Sequence, residues 1–127
     1  MGRYHLSKGE GRTKVKLSAW YMGNDLVVCI CNDNAHIGAV ALGDYDHASK
    51  RTSTSVITRL GHKDDAVAQQ TAYIIGKSMK RPVCVIAGIH IDNITKGEIN
   101  EVLNNTEILA NGLTIKLLVA NNIGKTQ

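Results

Sequence analysis

Apolar and polar residues alternate over much of the first half of the chain, a pattern typical of strands with one face in water. The predicted strands are Arg3–Lys8, Thr13–Met22, Asp25–Cys31, Ala35–Leu42 and Thr52–Leu60. Gly23-Asn24 is a two-residue hairpin signal, so the first strands are expected to form an antiparallel meander. Thr52–Leu60 is more polar, which favours a place at the sheet edge. Gly43–His47 is expected to be a loop whose acidic residues would suit a ligand or ion.

The second half of the chain changes to helical spacing. The buried stripe of a helix of about four turns, which follows Gly61–Asp65, is formed by Ala68, Thr71, Ala72, Ile75 and Met79. The almost continuously apolar stretch Val83–Ile91 predicts a strand buried on both faces, and a second helix follows over about Lys96–Ala110. Gly112 is expected to end that helix, and Leu113–Val119 to form a closing strand.

This order of elements predicts an α/β (α+β) fold, in which two principal helices pack against a mainly antiparallel sheet. The strand–helix–strand steps late in the chain predict that part of the sheet is parallel or mixed. A chain of 127 residues suits one domain, and no linker is visible. Residues 1–127 are therefore expected to form a single domain.

The candidate site lies in the stretch Pro82–Thr95, where the buried strand leads into a helix. His90 and Asp92 are two residues apart, so their side chains point to the same side in an extended chain. Gly88 interrupts the apolar run, which indicates a bulge or a close backbone approach. Thr95 opens a capping-box motif, and the free N–H groups at a helix start attract anions.

Two kinds of chemistry fit His90 and Asp92. With further ligands they could bind a divalent metal ion, or they could form a histidine–carboxylate pair for proton transfer. A structural histidine bonded to nearby backbone fits the spacing equally well. His62 and Lys63 could hold a phosphate at the start of the first helix. In the alternative interpretation, Asp64 caps that helix and both basic side chains are solvated.

Other polar residues stand near predicted strand ends or in loops: His36, Asp44, Asp46 and His47. Several of these could converge with His90 and Asp92 at one end of the sheet. The common nucleotide-binding and hydrolase signatures are absent, and no residue is obviously set up as a nucleophile.

The composition argues against several other function classes. The net charge is only +4, and no interleaved aromatic set is present, which disfavours nucleic-acid binding. No apolar run approaches the ~20 residues of a membrane helix, and Met1–Glu10 is too polar for a signal peptide. Cys29, Cys31 and Cys84 lie in apolar strands and are expected to be buried and reduced. We therefore expect a cytoplasmic protein without nucleic-acid or membrane partners.

Three segments together resemble one small family: Asn34-Ala-His-Ile-Gly-Ala-Val-Ala-Leu-Gly-Asp44, Thr58-Arg-Leu-Gly-His-Lys-Asp64 and Ala87-Gly-Ile-His-Ile-Asp-Asn-Ile-Thr95. From about Lys14 to Leu118, the chain is similar to prenylated-flavin chaperones of the LpdD-like type. These are small accessory D subunits of UbiD-type hydroxyarylic acid decarboxylases. The resemblance implies binding of prenylated FMN, or FMN, and its transfer to the decarboxylase large subunit. A flavin prenyltransferase is a further candidate partner.

The resemblance also implies a fold similar to proteasome-assembly chaperones, which tend to dimerise. A homodimer is expected for a second reason, since the predicted edge strand Thr52–Leu60 invites pairing with another copy. The candidate cofactor-binding residues within the matching segments are His36, Gly38, Asp44, His62, Lys63, His90 and Asp92. Two alternatives stay open. One is an assembly module for a partner enzyme that holds no cofactor, and the other is a small metal-dependent enzyme.

The residues suggest how a flavin mononucleotide would be held. His62, Lys63 and a helix N-terminus would bind the phosphate, helped by a divalent metal ion if one is present. Strand residues near Gly38 and Gly88 would form an apolar slot for the ring, because glycine lets a flat ligand come close. The alternative metal-dependent enzyme would instead be built on His36, His90 and Asp92.

Overall fold

The computed structural model describes residues 3–59 and 64–126, and the alternating residues of the first half form most of one sheet. The strands are β1 (Tyr4–Lys8), β2 (Val15–Met22), β3 (Asp25–Cys31), β4 (Ala39–Asp46), β5 (Arg51–Thr58) and β6 (Val83–Gly88). The helices are α1 (Asp65–Met79) and α2 (Lys96–Thr126). In the described residues the fold is a six-stranded, mostly antiparallel sheet with two helices, which confirms the predicted α+β class.

The strands follow the order β1-β2-β3-β6-β4-β5 across the sheet. All neighbours are antiparallel except β3 and β6, which are parallel. The mixed sheet and the edge position of β5 confirm the predictions. The meander is wrong beyond β3, because β6 inserts between β3 and β4. The continuous apolar run of β6 is the physical reason, since such a strand is stable where other strands flank it and both its faces are shielded.

Both helices pack against the same face of the sheet. α1 contacts β4, β5 and β6, while α2 contacts α1, β1 and β2. Val28 and Val85 of the sheet are completely buried, as are Ile75 of α1 and Leu113 of α2. The core is therefore a single layer between the sheet and the helices, and in the described residues no element covers the opposite face.

The predicted loop Gly43–His47 is largely part of β4, and that prediction is wrong. Gly43 pairs with Val83 of β6 and with Thr54 of β5. A side chain at Gly43 would place its Cβ 3.0 Å from the carbonyl carbon of Ala72 in α1, and closer still to the carbonyl oxygen. Gly43 therefore allows α1 to pack closely against β4. The sequence pattern predicts a loop at this position instead.

Helix α2 is longer than the sequence predicts. It continues to Thr126, so the predicted helix end at Gly112 and the predicted strand Leu113–Val119 are both wrong. Its buried stripe includes Leu109, Leu113 and Leu117. The four-residue spacing of these leucines places them on one side of the helix, against the sheet. The prediction fails because an apolar run as short as Leu113–Val119 is equally typical of a strand. No helix in the described part of the chain is long and apolar enough to cross a membrane.

The start of α2 confirms the predicted capping box. The backbone N–H of Thr95 donates to Glu98 Oε1 at 3.1 Å, and the backbone N–H of Glu98 donates to Thr95 Oγ1 at 3.1 Å. Arg12 adds a 2.6 Å ion pair from Nε to Glu98 Oε2. The hydrogen bond from the Thr95 N–H, together with Arg12, holds the pKa of Glu98 below its usual range, while burial acts in the opposite direction.

We predict that Glu98→Gln flattens the acid side of the stability profile. A lowered pKa in the folded state stabilises the protein above the ordinary carboxyl value of ~4.3, and this contribution is lost as the pH falls through the folded value. Urea unfolding between about pH 3 and pH 6 measures the effect. Glu107→Gln on the outer side of α2 is the control, and an equally steep acid limb in Glu98→Gln and wild type would contradict the prediction.

Candidate functional site

The sheet topology brings two connecting segments together at one end of the strands. β3 and β6 are parallel, so the segments that follow Cys31 and Gly88 leave the sheet at the same end. β4 begins at that end, since its Ala39 pairs with Ala87. Residues 32–38 and 89–95 are therefore neighbours, and each brings one of the predicted histidines.

Two imidazole–carboxylate pairs form in these segments. His90 Nε2 lies 2.8 Å from Asp92 Oδ1, as the two-residue spacing predicts, and both side chains are exposed. His36 Nε2 lies 3.3 Å from Asp64 Oδ2, and both of these side chains are largely buried. The His36 and His90 rings are 6.2 Å apart between centroids and nearly perpendicular. Within the candidate site, His36, His90 and Asp92 are therefore brought together.

Asp64 has a role in this site that the sequence does not predict, since the sequence suggests only a cap for α1. Its carboxylate does not cap α1. Oδ1 instead accepts the backbone N–H of Ile89 at 3.0 Å, and Oδ2 faces His36. A carboxylate just before a helix looks like an N-cap in sequence, and no pattern distinguishes a side chain that turns back to a strand end.

Asn32 holds the two segments in register. Its Nδ2 donates to the carbonyl oxygen of His90 at 2.9 Å, and its Oδ1 accepts the backbone N–H of the same residue at 3.3 Å. Asn32 is buried, so this reciprocal amide pairing satisfies polar groups away from water. The backbone of His90 is thereby fixed on a rigid support. In sequence, Asn32 appears only as part of a turn.

Gly38 and Gly88 make room for the protein itself. A Cβ on Gly38 would lie 2.6 Å from Asp64 Cγ, and a Cβ on Gly88 would lie 2.5 Å from the carbonyl carbon of His36. The carboxylate and carbonyl oxygens would be closer still. The close backbone approach predicted at Gly88 is confirmed. The space beside these two glycines holds no slot for a flat ring, because Asp64 and His36 fill it.

An apolar cavity of about 280 Å³ opens beside the histidines. It lies between the start of α1, the segment after β6 and the first turns of α2. Its lining consists of Asp64, Ala66, Val67, Ile89, His90, Ile91, Ile94, Ile99, Val102 and Leu103. In the sequence, Ile99, Val102 and Leu103 appear only as the buried stripe of a helix. The cavity depends on how α2 is placed over the segment after β6, which local patterns do not encode.

Arg12 ties this side of the cavity to the beginning of the chain. Its Nη2 donates to the carbonyl oxygen of Asp92 at 2.6 Å and to Glu98 Oε1 at 3.2 Å. The side chain is half exposed. It therefore fixes the segment between β6 and α2 and leaves a guanidinium group at the surface near Asp92.

Asp44 lies away from this group. It is exposed on β4, five residues beyond Ala39, which is about 17 Å along a strand. Asp46 and His47 are at the same far end. Two Asp46 oxygens accept the backbone N–H groups of Ala48 and Ser49 at 3.2 and 3.3 Å, so Asp46 serves a local turn. The predicted convergence is therefore wrong for these acidic residues.

Two predicted site residues, His62 and Lys63, lie outside the described residues. In residues 3–59 and 64–126, no group of three or more His, Cys, Asp or Glu side chains is placed to hold a metal ion. His90 and Asp92 form a hydrogen-bonded pair without a third ligand of this kind. The described residues thus give no support to the predicted metal site.

The prediction that the cysteines are buried and reduced is partly correct. Cys29, Cys31 and Cys84 are free thiols, as expected, but they are half-buried on the uncovered face of the sheet. Burial raises the pKa of Cys29 and Cys31 above the usual thiol value. The raised pKa keeps the thiols of Cys29 and Cys31 protonated near pH 7, and a protonated thiol is a poor nucleophile.

Comparison with known proteins supports this picture of the fold and its family. A family model described as the prenylated flavin chaperone LpdD-like domain matches residues 9–118, which confirms the resemblance found in the sequence. No curated protein matches the chain. Among solved structures, a chain from a chaperone complex for yeast 20S proteasome assembly is similar, with a TM-score of 0.50 and 17% identity over 99% of this chain and 98% of that one. At that identity the similarity shows the fold alone.

Proposed function

Since this chain belongs to the LpdD-like family of prenylated flavin chaperones, we propose that it binds prenylated FMN and delivers it to a UbiD-type hydroxyarylic acid decarboxylase. In this role it is a non-catalytic accessory subunit, and the bound cofactor supplies its chemistry only after transfer to the decarboxylase. The observation that carries the proposal is the isoleucine-lined cavity with two imidazole–carboxylate pairs at its edge.

The cavity suits the apolar part of such a ligand. Its volume of about 280 Å³ is at the lower end for small-molecule sites, so it would enclose the prenyl-derived ring and leave the ribityl phosphate outside. Ile89, Ile94 and Ile99 supply part of its apolar surface. A plain flavin lacks the added ring and would bury less apolar area, so we expect it to bind more weakly.

The Asp92 carboxylate prepares His90 for hydrogen bonding to the flavin ring system, whereas both ring nitrogens of His36 face protein oxygen atoms. When the Nε2–H of a neutral His90 donates its hydrogen bond to Asp92, Nδ1 is left as an acceptor. Asn32 holds the backbone of His90, so that this nitrogen keeps a defined position. His90 and Asp92 are exposed, so a ligand bonded to His90 would also be free to leave.

The proposal is tested by anaerobic titration of the protein with reduced prenylated FMN, with FMN as the comparison. We expect a protein-bound flavin spectrum and tighter binding of the prenylated form. Purified apo-decarboxylase is then added, and decarboxylation of an aromatic acid should appear faster with the loaded protein than with free cofactor. If the protein binds neither flavin, or the loaded protein does not activate the apoenzyme, the proposal is wrong.

We predict that Ile99→Trp weakens binding of prenylated FMN at least about tenfold, because the larger side chain fills the cavity. Ile99 is 39% exposed, so the substitution does not overpack the core. Ile108→Trp is the matched control, since Ile108 is 43% exposed on α2 and does not line the cavity. Equal affinities for the two variants would show that the ligand binds elsewhere.

The alternative of an assembly module without cofactor makes a different prediction. The protein without cofactor would then form a stable complex with the decarboxylase. The Ile99→Trp variant would activate the enzyme to the same extent as the wild-type protein. The uncovered face of the sheet is the observation that favours a protein contact of some kind.

A further inference from the structure

The strand at one edge of the sheet, β5 (Arg51–Thr58), has no partner on its outer side among residues 3–59 and 64–126. It has eight residues, and all of them pair with β4 in an unbroken register. Natural sheets usually protect an edge by keeping it short or by placing lysine, proline or a bulge in it. β1, at the opposite edge, has five residues and includes Lys8. β5 contains no lysine, proline or glycine, so its outer side is open to a further strand.

The hydrogen-bond pattern shows which backbone groups of β5 face outward. The N–H of Arg59 donates to the carbonyl oxygen of Gly38 at 2.9 Å. Bonded and non-bonded pairs alternate along an antiparallel ladder, so every second residue of β5, counted back from Arg59, bonds to β4. The residues between them direct their N–H and C=O groups away from β4: Thr52, Thr54, Val56 and Thr58. β5 therefore offers a row of donors and acceptors to a further strand.

Helix α1 lies along β5 and runs in the opposite direction. Gln69 Nε2 donates to Thr54 Oγ1 at 3.4 Å. Further along the helix, a Cβ on Gly76 would lie 3.4 Å from Thr52 Cγ2. The flank of α1 that contains Gln69 and Gly76 therefore faces β5 and follows it toward its start at Arg51.

Two exposed side chains complete this flank of the helix. Tyr73 and Lys80 lie on it, because residues three and four positions apart share one side of a helix. Tyr73 is 44% exposed, and Lys80 at the helix end is also exposed. We name the space between this flank and the outer side of β5 the edge groove. It is formed by the four outward residues of β5 and by Gln69, Tyr73 and Lys80.

The edge groove is basic at the end where β5 starts. Three cations lie at this end: Lys50, Arg51 and Lys80. None of them forms an ion pair within residues 3–59 and 64–126. Asp46, which lies opposite Arg51 in the register, instead accepts hydrogen bonds from the N–H groups of the following turn. The other end of the groove carries both signs of charge, with Arg59 and Asp65. A ligand of this groove is therefore expected to place negative charge beside the start of β5.

We propose that the edge groove binds an extended, acidic segment of the partner decarboxylase, which adds to β5 as a further strand of the sheet. The inference rests on the proposed delivery function, since it names the surface by which the chaperone holds the enzyme. Main-chain hydrogen bonds to β5 keep the segment about 4.8 Å from that strand. Alternate side chains of the segment point to the helix side and meet the Tyr73 ring, and its acidic end lies beside Arg51 and Lys80.

A second copy of this chain fits the edge groove less well. Antiparallel pairing of two β5 strands over their whole length sets Thr54 opposite Val56 and Arg51 opposite Arg59. Like charges in directly opposed positions are destabilising. An acidic segment of another protein meets no such repulsion. Charge therefore favours the decarboxylase over the pairing of two copies through β5 that the sequence suggests.

The test is the affinity of the full chain, loaded with prenylated FMN, for immobilised apo-decarboxylase, measured by surface plasmon resonance. Thr54→Pro removes an outward N–H and leaves the bonds between β4 and β5 in place, because the backbone of Thr54 makes none of them. We expect the affinity to fall at least about tenfold. Thr54→Ala keeps the N–H, so it is the matched control and should bind nearly as tightly as wild type.

A charge reversal tests the basic end of the groove independently of the backbone. Lys80→Glu should weaken the complex at least about fivefold, because it turns an attraction into a repulsion. Lys116→Glu makes the same change at an exposed position of α2 away from β5, and it should bind like wild type. Added salt should weaken the wild-type complex more than the Lys80→Glu complex. All four variants should bind prenylated FMN as wild type does, because none of the changed residues lines the cavity.

Three results would overturn the inference. If Thr54→Pro and Lys80→Glu both bind the decarboxylase as tightly as wild type, the enzyme docks elsewhere, and the proposed delivery function still stands. If the loaded wild-type chain binds no decarboxylase, the inference and the delivery function are both wrong. If Thr54→Pro lowers the mass of the free protein in light scattering, the edge groove belongs to a second copy of the chain. A Thr54→Pro chain that also loses prenylated FMN is misfolded, and Lys80→Glu then decides.

Discussion

Replacement of Gly88 by alanine is expected to destabilise the protein by at least about 3 kcal/mol, near the upper end of what added core atoms cost. The new Cβ would lie 2.5 Å from the carbonyl carbon of His36 and closer to its oxygen. These are backbone atoms, so no side-chain rotation can relieve the clash. The segment that carries His36 would have to move away from β6, and the two histidines would separate.

Chemical denaturation of Gly88→Ala and Gly112→Ala provides the measurement and its control. Gly112 lies inside α2, where a Cβ would meet Leu6 at an ordinary 3.6 Å. Alanine there should stabilise the protein by up to about 1 kcal/mol, because it restricts the unfolded chain and favours the helix. The two glycines thus predict effects of opposite sign. A Gly88→Ala variant as stable as wild type would contradict the close approach of residues 32–38 to β6.

The second large effect is expected at Gly38, where the obstacle is a side chain. A Cβ on Gly38 would lie 2.6 Å from Asp64 Cγ, so the carboxylate would have to leave its place. It would then lose the Ile89 N–H and its position beside His36. We expect Gly38→Ala to cost about 2–4 kcal/mol, which combines overpacking with a buried N–H group left without its acceptor.

A double-mutant cycle isolates this contact. Asp64→Ala alone should cost about 1–3 kcal/mol through the unsatisfied N–H of Ile89. In the double variant the clashing carboxylate is absent, and the nearest remaining atom, Cβ of residue 64, is 3.0 Å away. The two changes together should therefore cost at least about 1 kcal/mol less than the sum of the single changes. Strictly additive free energies of unfolding would show that Gly38 and Asp64 do not touch.

These glycines also show where sequence reasoning about the site succeeds and where it stops. The pattern around Gly88 predicts that a backbone approaches it, and the structure confirms that approach. The identity of the approaching group cannot be predicted, because it arrives from a segment 52 positions earlier in the chain through the placement of β6 beside β3. The sequence pattern suggests that both glycines make room for a flat ligand. In the structure, Gly38 makes room for Asp64 and Gly88 for His36.

The two imidazole–carboxylate pairs differ in whether the sequence could predict them. The contact of His90 with Asp92 is local, so a two-residue spacing is enough to predict it. The contact of His36 with Asp64 joins residues on opposite sides of β4 and β5 in the chain. It exists because α1 starts beside the segment after β3. The cavity beside them likewise requires α2 to cross the segment after β6, and its wall residues look like ordinary core in sequence.

The sequence alone determined the alternation of the early strands, the stripe of α1, the capping box of α2 and the family to which the chain belongs. These features depend on residues within a few positions of each other, or on motifs carried along the chain. Only the tertiary structure decided that β6 divides the meander, that α2 runs past Gly112, and that one face of the sheet is left uncovered by residues 3–59 and 64–126. Each of these depends on which distant surfaces compete for the same apolar contact, and local spacing contains no information about that competition.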